Sequence, residues 1–171
     1  MTSIIPLVEI DPALVEDLLD AAFGPDRKQR TAYKIRENMD MLEGLSLAAV
    51  DAEEDELIGS IQCWPTALTD EDGKKHPMIM VGPVAVHPDC QGQGIGQALM
   101  IALLKELQQD ESLPLVMIGD PDYYQRFFGF SAEHTRGWKL PGPWDPERLL
   151  MRVAADVPLP SKGQLGPWSK G

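Results

Sequence analysis

The sequence predicts an α/β fold built on a mixed sheet, and three observations carry that expectation. An apolar strand ending near His87, a glycine loop, a helix from Gly94 to Gln109 and an apolar strand from Leu113 to Ile118 follow one another as a β-α-β unit. Such a unit implies two parallel strands with a right-handed crossover. Two further strands, Leu45 to Val50 and Leu57 to Trp64, flank an acidic turn around Glu53-Glu54-Asp55 and read as a β-hairpin. Near the start, apolar residues recur at helical spacing behind an Asp-Pro pair.

In order along the chain, Ser3 to Glu9 is a short apolar run and a first strand. Asp11 suits the N-cap of the next helix and Pro12 its first position, with Leu14, Val15, Leu18, Leu19, Ala22 and Phe23 as the apolar stripe. Gly24-Pro25 stops it. A second helix is expected from about Lys28 to Leu42, though Tyr33, Ile35, Met39 and Leu42 are less regularly spaced. After the hairpin, Thr69 to Lys75 is a polar turn, and Pro77 to Val86 a long strand interrupted by Gly82-Pro83. Proline cannot donate to a ladder, so that pair predicts a bulge or a splayed edge. In the helix from Gly94, the residues Ile95, Ala98, Leu99, Ala102, Leu103 and Leu107 form one stripe. A short helix holding Tyr123, Tyr124 and Phe127 closes at Gly129, strand resumes from Phe130, and Arg148 to Ala154 is a late strand. The Pro- and Gly-containing stretch from Asp156 reads as a mobile tail or surface arm. The organisation expected is therefore one domain over residues 1–155 and a tail over 156–171.

The 171 residues are long enough for one self-sufficient domain, which at this size buries roughly 70% of its unfolded surface. A net charge of −12 disfavours a nucleic-acid surface, which needs a basic stripe, and is compatible with an amine substrate. Two cysteines, Cys63 and Cys90, give neither a disulfide framework nor zinc-ligand spacing. With no basic leader and no apolar run near the ~20 residues of a membrane span, the expectation is a cytoplasmic protein without a membrane partner.

The stretch Val84-Ala85-Val86-His87-Pro88-Asp89-Cys90-Gln91-Gly92-Gln93-Gly94-Ile95-Gly96-Gln97-Ala98-Leu99 aims a row of backbone N–H groups and a helix dipole at one spot, suited to a phosphate or pyrophosphate. A nucleotide-hydrolysing P-loop needs Lys and Ser/Thr after its last glycine, where this chain has Gln97-Ala98. A dinucleotide fingerprint needs G-x-G-x-x-G, and Gly92-Gln93-Gly94-Ile95-Gly96 misses it by one residue. A glycine-rich turn with no ligand also fits these residues alone.

Gln91-x-x-Gly94-x-Gly96, with the strand before it and Ala98-Leu99 after it, resembles the coenzyme A loop of the GCN5-related N-acetyltransferase (GNAT) superfamily. The order of elements over residues 3–154 is similar as well. The block Gly119-Asp120-Pro121-Asp122-Tyr123-Tyr124-Gln125-Arg126-Phe127-Phe128-Gly129-Phe130 looks like that family's tyrosine segment. Gly137-Trp138-Lys139-Leu140-Pro141-Gly142-Pro143 resembles a block of a bacterial subgroup of predicted N-acetyltransferases. The resemblance implies a mixed, mostly antiparallel central sheet splayed between two parallel strands and flanked by helices. It implies acetyl-CoA as cosubstrate, no metal, a small-molecule or peptide amine as acceptor, and it is compatible with a homodimer.

By the same resemblance, the amides of Gln91, Gly92, Gln93, Gly94, Ile95, Gly96 and Gln97 would cradle the pyrophosphate. Val84, Ala85 and Val86 would offer backbone hydrogen bonds to the pantetheine arm, and an N–H near Val86 would hold the oxyanion. Tyr124, with Tyr123 in reserve, would protonate the leaving thiolate. Tyr124 sits one residue further from Gly129-Phe130 than the family's usual offset, an extra residue that a helical bulge could absorb. The rival reading has both tyrosines packing beside the cofactor. Glu37, Asp120, Asp122 and His87 are candidate bases, with Asp120 also suited to an N-cap and His87 to a strand end. Cys90 lacks a neighbour that would activate it, and Trp138, Trp144 and Trp168 read as packing or surface residues. A non-catalytic acyl-CoA-binding module and a dinucleotide-binding domain are the alternatives in function.

Overall fold

The computed structural model describes residues 1–108, 113–153 and 158–168. Its strands are β1 (Thr2–Pro6), β2 (Leu47–Asp51), β3 (Glu56–Thr69), β4 (Lys75–Val86), β5 (Leu115–Ile118), β6 (Gly137–Lys139), β7 (Leu149–Arg152) and β8 (Lys162–Pro167). The α-helices are α1 (Pro12–Phe23), α2 (Thr31–Ile35), α3 (Ile95–Gln108) and α4 (Pro121–Phe128). The strands form an open sheet in the order β1-β2-β3-β4-β5-β7, with β8 joining β3 and β6. Pairing is mostly antiparallel, with β4–β5 and β6–β8 parallel. The predicted α/β fold with a mixed, mostly antiparallel sheet is the one observed.

The chain divides into two compact units, Met1–Lys28, Met41–Cys63 and Gly82–Asp110 in one, Gln29–Asp40, Trp64–Val81 and Glu111–Gly171 in the other. In the first, Asp11 caps α1 as its sequence predicts, its carboxylate accepting from Ala13 N–H at 3.0 Å. Val15, Leu18 and Leu19 of α1 pack with Leu7, Ala48, Val50 and Ala85. Leu14, expected in that stripe, is exposed. The buried Arg27 guanidinium ties the end of α1 through Glu16 and Asp20. Residues Leu7–Glu9, read as part of the first strand, are a 3-10 turn.

In the first unit α3 lies on β3 through a glycine. A Cβ at Gly59 would stand 2.7 Å from Ile95 Cγ2 and 3.2 Å from both the Ala85 carbonyl oxygen and Leu99 Cδ1. Ile95, Leu99 and Leu103 of the predicted stripe are buried, as is Met100.

The second unit is built on Ile35, Leu68, Met78, Met80, Val116, Trp138, Leu149, Met151 and Leu165. Trp138 is a packing residue, as read from sequence, and its indole donates to the Pro160 carbonyl at 3.0 Å. The helix expected from Lys28 to Leu42 shrinks to the five residues of α2: Arg30 before it is extended, Arg36 after it leaves helical geometry at φ −110° and ψ 18°, and Asn38 turns left-handed at φ 62°, so the helix does not resume. The parallel register of β4 with β5 joins Ile79 to Leu115 and Met80 to Val116. It includes none of the residues 84–87, where the sequence reading put it, and Gly82-Pro83, a cis peptide, separates the two stretches. Residues 162–167, expected in a mobile tail, instead form β8, which pairs with β3 from Thr66 to Thr69 and buries Leu165 completely. The predicted ends at Gln109 and Ala154, and residues 156, 157 and 169–171 of the expected tail, lie outside the described residues.

The α3–β3 contact predicts the behaviour of one substitution. Gly59→Ala forces a methyl onto a stiff β-branched side chain and a backbone oxygen, and should lower stability by about 1–3 kcal/mol. Urea unfolding checks this, and unchanged stability would mean that α3 shifts off β3 freely.

Candidate functional site

The glycine loop is a short 3-10 turn followed by the first turn of α3. His87 opens it: its Nδ1 accepts from Asp89 N–H at 3.1 Å, while its own N–H donates to the Ile58 carbonyl at 2.8 Å. Cys90 N–H returns to the His87 carbonyl at 2.8 Å. From there no amide of Gln91 to Gln97 donates to an acceptor among the described residues, and the next bond runs from Ala98 N–H to the Gly94 carbonyl at 3.0 Å. The first amides of any helix lack intrahelical partners, and here the loop before them adds four more.

Gly92 and Gly94 hold φ of 84° and 78°, a region that costs an L-residue about 1–2 kcal/mol. A Cβ at either would meet nothing within 4 Å, so the space over them is open. A Cβ at Gly96 would touch Val86 Cγ2 at 3.6 Å and Val84 Cγ1 at 3.8 Å. The structure thus brings the loop and the end of β4 together within one unit. Gln91 to Gly94 are exposed, Val84 and Val86 half-buried, and Ala85 buried.

No basic side chain belongs to the loop, and its surroundings are acidic. The Cys90 thiol is held above its ordinary value, first by desolvation and then by the carboxylates of Asp89, Asp51, Glu56 and Glu54. That setting disfavours a Cys90 thiolate nucleophile, in keeping with the sequence reading. Burial pushes the Cys63 thiol up to about 12. The donors the loop offers to an anion are therefore its backbone dipoles.

The tyrosine segment belongs to the other unit. Asp120 caps α4, its carboxylate accepting from Asp122 N–H at 3.0 Å. Gly129 closes the helix in the left-handed region. The helix is regular throughout Pro121–Phe128, so the expected bulge inside it is absent. At its exit the Gln125 carbonyl accepts from Gly129 N–H at 3.2 Å, and the Tyr124 carbonyl accepts from both Gly129 and Phe130 N–H groups. The Tyr124 ring lies against Gly119, where a Cβ would stand 2.7 Å from Cε2. It meets Tyr123 edge to face at 4.9 Å and Phe130 at 6.2 Å. Burial first, then Tyr123 and Asp120, push the Tyr124 phenol up to about 12 against a smaller opposing effect of Arg148. Burial also raises Tyr123.

Of the candidate bases, His87 and Asp120 are occupied as caps, and Glu37 and Asp122 are exposed. No cluster of three or more His, Cys, Asp or Glu side chains with metal-binding geometry occurs among the described residues. No helix among them is long and apolar enough to cross a membrane. Sequence reasoning passed over Gly59; a lone glycine inside an apolar strand was its signal.

A family model described as an acetyltransferase (GNAT) domain matches residues 5–132. The chain belongs to the GNAT acetyltransferase family. It is 29% identical over 136 residues to an uncharacterized N-acetyltransferase, YhbS, of Escherichia coli K12, covering 79% of this chain and 78% of the relative. The fold is similar to a crystal structure of the E. coli GNAT-family protein YhbS in complex with CoA, at TM-score 0.73 and 23% identity over 98% of this chain and 89% of that one. It is also similar to a GNAT-family acetyltransferase of Brucella melitensis in complex with acetyl-CoA, at TM-score 0.65 and 23% identity, covering 99% and 97% of the two chains.

The raised Tyr124 phenol has a measurable consequence. Its folded value of about 12 exceeds the unfolded ~10. Its contribution to stability is therefore complete below pH ~10 and is lost as pH rises through the folded value. In an absorbance titration of phenolate, the step removed by Tyr124→Phe should lie near pH 12 or coincide with unfolding. A Tyr124 step at an ordinary phenol pH in folded protein would contradict its burial.

Proposed function

We propose that this chain is an N-acetyltransferase that moves the acetyl group of acetyl-CoA to a primary amine by direct attack within a ternary complex. The observation that carries the proposal is the run of unpartnered amides from Gln91 to Gln97 over open space, opened by Gly92 and Gly94. The family match and the CoA and acetyl-CoA complexes of the two similar structures support it. When bound, acetyl-CoA supplies an activated thioester carbonyl.

In this reading the amides of Gln91 to Gln97 donate to the pyrophosphate oxygens, and glycine lets the backbone approach them. The backbone of Val84, Ala85 and Val86 serves the pantetheine arm, and Val86 N–H polarises the thioester oxygen as charge develops on it. The amine nitrogen bonds to the acetyl carbon, the carbon–sulfur bond breaks, and the thiolate takes a proton from the Tyr124 phenol. The surplus proton on the new amide nitrogen leaves to water, and the Tyr124 phenolate is reprotonated from water, which closes the cycle. The Tyr124 phenol stays protonated throughout the neutral and mildly alkaline range and so is loaded as a donor, while the burial that raises it to about 12 weakens it as an acid. Tyr123 is the alternative donor. A non-catalytic acyl-CoA-binding module is the second reading, favoured by the capping or exposed positions of all four candidate bases.

Thiol release from acetyl-CoA with a panel of primary amines (an N-terminal peptide, a lysine peptide, a polyamine, an aminoglycoside) tests the proposal. Turnover is expected on at least one. Tyr124→Phe should then lower kcat by about 100-fold, the scale of a lost general acid, with CoA affinity unchanged. Acetyl-CoA binding without turnover on any amine would favour the binding module.

A further inference from the structure

The charge of this chain is unevenly divided. The unit that holds the glycine loop and the end of β4 contains 15 Asp and Glu against three Lys and Arg, whereas the other contains 12 of each. The first unit thus carries the whole net charge of −12. Of its three cations, Arg27 and Lys28 are ion-paired with Glu16 and Asp20. The third, Lys105, stands in the last turn of α3, at the far end of that helix from the loop.

The excess gathers beside the loop. Asp51, Glu53, Glu54, Asp55 and Glu56 occupy the turn between β2 and β3, all but Asp51 exposed. His87 N–H donates to the Ile58 carbonyl at 2.8 Å, so the chain leaves β4 for the loop beside the start of β3 and the turn before it. Asp89, also exposed, adds a carboxylate at the opening of the loop. Cys90 registers the field: after desolvation, the carboxylates of Asp89, Asp51, Glu56 and Glu54 hold its thiol up. The local fold makes little use of these groups. Asp51 accepts from Glu53 N–H at 3.0 Å, while the side chains of Glu53, Glu54, Asp55 and Glu56 bond to nothing among the described residues. Such a row repels itself, and its other effect is on solutes: one-signed surfaces speed the arrival of opposite charge by roughly 10–10³-fold.

We propose that the acceptor is a polycationic amine, drawn to this unit by its carboxylates. The nitrogen that attacks must be neutral. A monoamine therefore loses its only charge, and the attraction with it, on becoming reactive. A polyamine keeps its other ammonium groups, and their like charge lowers the pKa of the reacting nitrogen, so more of it is neutral near pH 7. The same carboxylates oppose the polyanionic donor, so the two substrates respond to salt with opposite sign. This inference rests on the acetyltransferase reading and names the class of its acceptor.

The test uses the full chain, acetyl-CoA, and linear alkylamines carrying one to four amino groups. Rates are compared at about 0.01 M and about 1 M sodium chloride, where charges are screened over ~30 and ~3 Å. At low salt kcat/KM should rise about tenfold or more from monoamine to tetra-amine. High salt should remove most of that advantage while the affinity for CoA holds or rises. The combined substitutions Glu53→Gln, Glu54→Gln and Glu56→Gln should cut the tetra-amine advantage about threefold at low salt, with monoamine kcat/KM unmoved and the melting temperature held or raised. A kcat/KM independent of acceptor charge, or an advantage that both salt and the triple variant leave in place, would overturn this inference alone. Wild type that acetylates no amine would overturn the acetyltransferase reading and this inference with it.

Discussion

Everything proposed for this protein depends on the close approach of α3 to β3 at Gly59. With no Cβ there, Ile95 and Leu99 press the first turn of the helix onto the strand. That anchorage sets where the amides before and within the first turn point. Gly92 and Gly94 then bring those amides outward in a conformation other residues resist. In the proposed reading, anion binding is a property of backbone placement, and backbone placement is a property of one packing contact.

The chain's charge sharpens this dependence. At a net −12, with Asp51, Glu54, Glu56 and Asp89 all acting on Cys90, the loop draws no help from lysine or arginine within it. Each helix-terminal contact to an anion is worth about 0.3–1 kcal/mol. Several must act on one group at once, which requires that they be pre-set. Preorganised dipoles cost no rearrangement when the charge arrives, and the rigid seat of Ile95 on β3 supplies that preorganisation. The tyrosine segment follows a similar logic in its own unit: with no side chain at Gly119, the Tyr124 ring edge occupies the space that a Cβ would need.

Features determined by neighbours in sequence were legible before the structure. The Asp11-Pro12 and Asp120-Pro121 helix starts, the Gly129 stop and the α3 stripe each rest on residues within one or two turns of each other. Features that depend on distant partners were not. β8 lies in a stretch full of proline and glycine, and only its pairing with β3 and the burial of Leu165 make it a strand. The shortness of α2 reflects the backbone angles of Arg30, Arg36 and Asn38, which no spacing in the sequence marks. The candidate loop was readable because its chemistry is carried by backbone and glycine spacing. The base was not, because His87 and Asp120 are claimed by caps that look identical in sequence to catalytic positions.

The most direct test of the account is a backbone amide NMR titration, comparing CoA with pantetheine, which lacks the pyrophosphate. The account predicts that the amides of Gln91 to Gln97 shift strongly downfield with CoA and little with pantetheine, while Val84 to Val86 respond to both. Shifts at Gln91 to Gln97 that pantetheine reproduces in full, or their absence on saturation with CoA, would contradict it.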